Sequence, residues 1–109
     1  MLIFLWDEGN AEHIGEHGVL PEDAEHVVRH ARSPYPEKIG DNKLRVWGRT
    51  RDGEYLQVDF VHPADEEIGY ESLTPEALSA MMDDDALFVR VIHAMPMTDN
   101  MKRQFKRRA

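Results

Sequence analysis

Cysteine is absent from the 109 residues, so disulfides and thiolate metal sites are excluded, in keeping with a reducing, cytoplasmic home. Long apolar runs are missing too: none reaches the roughly 18 residues that a membrane span requires, and no membrane partner is expected. The opening MLIFLWDE has no basic leader and no small-residue cleavage site, so no signal peptide is expected. Neither a glycine-rich phosphate loop nor a serine in a G-x-S-x-G turn is present, which removes nucleotide-binding and serine-nucleophile chemistry. Positive charge is scarce, 13 Lys and Arg against 21 Asp and Glu, for a net −8. It is also concentrated. Residues 98–109 hold Lys102, Arg103, Lys106, Arg107 and Arg108 against Asp99 alone, a local +4 that leaves −12 for the rest of the chain. A basic end on an acidic body offers one place for a polyanion and repels it elsewhere.

What is present suits a single domain with one modest core, and no internal repeat or low-complexity segment divides it. Leu2 to Trp6 is wholly apolar and predicts a buried strand. Asp7 is placed to cap a first helix, about Glu8 to His17, that would show Asn10, His13 and His17 along one face and turn Ala11 and Ile14 inward. Gly18 suits the left-handed position that ends a helix. Pro21 starts a second helix, to about Ala31, with Ala24, Val27, Val28 and Ala31 as its core stripe. Residues 43–50 and 54–62 alternate in polarity around Asp52-Gly53, a strong hairpin signal, with Arg45, Trp47 and Arg49 on the outer face. Residues 63–86 then interrupt the pattern with eight acidic side chains and no Lys or Arg. Thr74-Pro75-Glu76 predicts a short helix inside this acidic excursion. Leu87 to Ala94 has two apolar faces and predicts a central strand. Thr98 caps a last helix with Met97, Met101 and Phe105 on one side and the Lys and Arg residues on the other. The sum is an α+β domain over residues 1–109: a small, mostly antiparallel sheet with two N-terminal helices and a C-terminal one.

Two patterns carry chemistry. His13-Ile14-Gly15-Glu16-His17 has the H-x-x-E-H spacing of some zinc hydrolases, with two imidazoles one helical turn apart. A glycine sits inside the motif and no downstream glutamate is marked as third ligand, so no metal site and no cofactor are expected. His26 and His30 repeat the spacing on the second helix.

Trp6-Asp7, Asn10, His13, Ile14 and His17-Gly18-Val19 followed by Pro21-Glu22 resemble the N-terminal signature of the BrnT family. The hairpin, the Arg90-Val91-Ile92-x-Ala94 strand and the Thr-capped basic helix are similar to that family in order and spacing. Met1–Ala31 and Lys43–Ala109 are covered, with the excursion at 63–86 foreign to it. These are toxins of bacterial toxin–antitoxin pairs, so the resemblance implies a RelE-like ribonuclease fold, RNA as substrate and a cognate antitoxin as partner, with any oligomer formed through the antitoxin. Members usually have Ser-Ala-Arg where this chain has His93-Ala94-Met95, and a glutamate in the last helix where Met101 stands. Leu20 replaces a capping Ser or Thr.

Metal-independent RNA cleavage needs a base for the ribose 2′-OH, cations for the phosphorane and an acid for the leaving oxygen. His93 can fill either proton role. Arg49 and Arg45 are candidate phosphate clamps, with Arg51 beside the turn, and Lys102, Arg103, Lys106 and Arg107 candidate contacts to the RNA backbone. A working site is expected where Arg49, His93 and the basic helix meet. Structural roles compete with these: His93 as a hydrogen-bonded core histidine, Arg45 and Arg49 as solvated residues, the basic run as a match to its helix dipole. Trp6, Asp7, Asn10, His13, His17 and Gly18 are expected to act as structural anchors. The alternative function is a family member that binds RNA or protein without cutting. The acidic excursion is a third element, able to mask the basic helix if it folds across it.

Overall fold

The computed structural model describes residues 1–64, 67–68, 73–82 and 85–108. Strand β1 (Leu2–Phe4) is followed by helices α1 (Glu8–Gly15) and α2 (Pro21–Arg29). Strands β2 (Glu37–Lys38), β3 (Lys43–Arg49) and β4 (Tyr55–Val61) come next, then α3 (Pro75–Ala80), β5 (Leu87–Pro96) and α4 (Asp99–Arg108). The sheet runs β1-β5-β4-β3-β2. Among the described residues only β1 and β5 pair in parallel, so the α+β, mostly antiparallel expectation holds. Among the described residues no helix is long and apolar enough to cross a membrane.

Local chemistry explains α1. The Asp7 carboxylate accepts from the Asn10 backbone amide at 3.0 Å, and the Asn10 side-chain oxygen accepts from the Asp7 amide at 2.8 Å. That amide bond holds the Asp7 carboxyl below its usual range, with Arg90 at 3.0 Å lowering it further against partial burial. The Asn10 side-chain nitrogen donates to the carbonyls of Leu5 at 3.0 Å and Val91 at 3.3 Å, tying α1 to β1 and β5 together. Gly18 has φ of 74°, a left-handed turn that releases the chain toward α2. Trp6 donates from its indole to Glu25 at 2.8 Å and fixes α2.

α2 buries Ala24, Val27 and Val28 against Val46, Val58 and Val91, the centre of the main core. Gly48 is what lets it approach: a Cβ there would stand 3.1 Å from Val27 Cγ1. The hairpin forms around Asp52-Gly53 with Gly53 at φ 88°. Between the pairs Phe60–Val91 and Asp59–His93, β5 carries one residue more than β4, so Ile92 is a bulge.

Three features depart from expectation. Trp47, placed on an outer face by alternation, is buried, because α4 covers that side: Phe105 lies 6.4 Å from Trp47 and 6.1 Å from Tyr35, ring to ring. The short strand β2 pairs with β3 although Glu37-Lys38 carries no apolar signal. The described part of the excursion seats Ile68, Leu73, Ala77 and Met81 with Ile3, Leu5 and Phe88, beside β1. It therefore packs at the opposite edge of the sheet from the basic helix it was thought able to mask. Asp83 and Asp84, among its eight acidic residues, lie outside the described residues.

Candidate nucleic-acid interface

The basic helix and the hairpin meet where the sequence places them, over one ring. Arg49 sits 4.8 Å from the centroid of Tyr55, Lys106 5.5 Å and Lys102 5.8 Å. Register explains this: Arg49 pairs with Tyr55 across the hairpin, and Met97, just before α4, donates its amide to the Tyr55 carbonyl at 3.0 Å. The first turn of α4 is closed by the Thr98 hydroxyl, which accepts from the Met101 amide. Among the described residues none of the three cations has a carboxylate partner. Three like charges around one ring repel one another, so an anion there relieves them. Arg103 and Arg107 are exposed along the same helix.

From Arg49 the surface continues into a cleft of about 550 Å³ lined by His26, His30, Arg32, Tyr35, Trp47, Gly48, Phe105 and Arg108. Its floor is aromatic and its rim basic. Arg108 is held in place by Tyr35 Oη at 3.1 Å and Glu37 at 2.8 Å, and the Tyr35 bond strengthens its hold on its proton. His26 and His30, one turn apart on α2, stack at 4.2 Å. His30 Nδ1 lies 2.9 Å from the His26 carbonyl oxygen, which can only accept; Nδ1 therefore carries a hydrogen. Burial pushes the His26 imidazole below its ordinary pKa, and the neighbouring His30 and Arg51 charges push the same way, with Asp23 opposing. Arg51 lines a smaller hollow on the other side of the pair.

The remaining expected site residues stand apart. Arg45 is paired with Asp59, with Nε–Oδ1 2.8 Å and Nη2–Oδ2 3.1 Å, a fork that raises its pKa and neutralises the charge it would offer a phosphate. His93 pairs with Asp59, four β4 residues from Tyr55, which is about 13 Å along a strand. The expected meeting of Arg49, His93 and the basic helix is thus assembled in two of its three parts. His93 is half-buried rather than sealed, and its ring stands 5.9 Å from His13 and 5.2 Å from His17. Trp6, Asp7, Asn10 and Gly18 perform the anchoring already described. Sequence reasoning noted the one-turn spacing of His26 and His30 but did not place them with the RNA-binding residues; Gly48 and the fall of β3 beneath α2 bring them to the cleft that Arg49 lines. No family model matches the chain, and no curated protein matches it.

Proposed function

We propose that the chain acts on RNA along the track from Lys106 and Lys102 through Arg49 into the His26–His30 cleft, as a metal-independent endoribonuclease restrained by a partner antitoxin. The observation that carries this is the convergence of Arg49, Lys102 and Lys106 on Tyr55, none with a carboxylate partner among the described residues, beside the cleft that holds His26 and His30, on a chain whose net charge is −8. The resemblance of the Trp6–Glu22 stretch to BrnT toxins supports the same direction and supplies the antitoxin.

In this reading His26, neutral at pH 7, takes the 2′-OH proton as the 2′-oxygen attacks phosphorus, and Arg49 with Arg32 stabilises the phosphorane. The P–O5′ bond then breaks and leaves a 2′,3′-cyclic phosphate. Rings stacked at 4.2 Å stand on one side of any phosphate, so the pair serves one proton role and the leaving oxygen is protonated from solvent. That single role favours a second reading, a module that holds RNA without cutting it.

Incubating single-stranded RNA with the protein in a chelator separates the two. Cleavage should appear, fall about 10²–10⁴-fold in His26→Ala and about 10²-fold in Arg49→Ala. The rate should climb with pH through a value below 6.5 and level off near neutrality, since the base must be unprotonated. Binding without breakage assigns the module; neither binding nor breakage defeats both.

A further inference from the structure

Away from the cleft, three imidazoles converge. His13 and His17 project from α1 and the turn after it, and His93 from β5 just past the Ile92 bulge. Their rings are 6.1, 5.9 and 5.2 Å apart, centroid to centroid, and one nitrogen of each lies within 4.8 Å of the others. In a tetrahedral zinc site with Zn–N of about 2.0–2.1 Å, ligand nitrogens are about 3.3 Å apart. Rotation of side chains can close that gap, since His13 and His17 are both exposed. None of the three rings makes a hydrogen bond to another protein group among the described residues, so no existing bond must break.

We propose that His13, His17 and His93 form a binding site for a divalent transition metal of the zinc, nickel or copper class, with the fourth position open to solvent. The donor set decides the class: three neutral imidazoles suit zinc, nickel or copper, whereas magnesium and calcium take oxygen ligands. The two exposed histidines leave the outer side uncovered, which is where a water or a substrate oxygen completes the coordination. An acidic body raises the local concentration of any cation. The sequence stops at two ligands because the third is 76 residues beyond His17 and is brought in by the parallel pairing of β1 with β5, which sets β5 beneath α1. Metal here would clamp α1 to β5 beside the Asn10 bridge. The site is separate from the RNA track, and the two proposals stand or fall apart.

Zinc and cobalt(II) titrated into the full chain test it, by calorimetry, by visible absorption and by thermal melting. Binding should be one to one, cobalt should give the intense visible bands of a four-coordinate ion, and a hundredfold excess over Kd should raise Tm by on the order of 10 °C. His17→Ala, in an exposed turn, and His93→Gln should each weaken binding by more than the roughly 10–100-fold lost with an outer-shell partner. His26→Ala/His30→Ala should bind metal as the parent does. Unweakened binding in either His17→Ala or His93→Gln, loss of binding in the His26/His30 variant, or no binding by the parent overturns the proposal.

Discussion

Asn10 shows how much one side chain holds. It closes the α1 cap and bridges the carbonyls of Leu5, just past β1, and Val91 in β5, so it satisfies groups on three separate segments at once. Replacing it with alanine removes the cap and leaves partly buried carbonyls unanswered, an expected loss of about 2 kcal/mol. Thermal melting should show Tm lower by on the order of 10 °C for a chain this size; an unchanged Tm would mean water replaces the amide at no cost. The cap was legible, since Asp7 and Asn10 stand three apart before an apolar stripe. The bridge was not, because Val91 is 81 residues away. Arg45 teaches the opposite lesson. Its pairing with Asp59 follows from the hairpin register once the turn at Asp52-Gly53 is placed, yet polarity alternation alone marks both residues as outward and free.

At the scale of elements, α4 makes a two-sided sheet out of one that reads as one-sided. Phe105 packs against Tyr35, Trp47 and Tyr55 and forms the apolar floor of the cleft. Phe105→Ala should cost about 2–3 kcal/mol, at the low end for a large core ring because the site is only half buried. Trp47, freed of its cover, should shift its fluorescence to longer wavelength, whereas Trp6 should not respond; emission identical to the parent would place the Trp47 cover elsewhere. Periodicity gave the apolar side of α4 correctly, because Met97, Met101 and Phe105 recur at helical spacing. It could not say which surface that side would meet, since long-range docking leaves no local trace. The Ile92 bulge was equally silent: an apolar residue within an apolar run shifts register without changing the pattern.

For the whole molecule, charge distribution was the most legible property and the one that bears most directly on RNA. The acidic body and the basic end are stated by composition, and the structure adds that Lys102 and Lys106 gather with Arg49 around the Tyr55 ring. With Arg32, Arg49, Lys102 and Lys106 as the four phosphate contacts of the track, the logarithm of single-stranded RNA affinity should fall against the logarithm of salt with slope near −2.8, at roughly 0.7 per contact. Lys106→Ala should reduce the steepness by about 0.7. A flat salt dependence would move RNA off this surface altogether.

The hydrogen atom that stands for a side chain at Gly48 has a reach beyond packing. With the nearest Val27 methyl only 3.1 Å from where a Cβ would be, the smallest enlargement at this position requires that methyl to give by a few tenths of an ångström. That helix bears His26 and His30, while Arg49 is the very next residue on the strand below. The spacing between imidazole and guanidinium is accordingly set across a missing methyl group, and a chain that filled this gap would keep every reactive group yet press on the side chain that seats their helix.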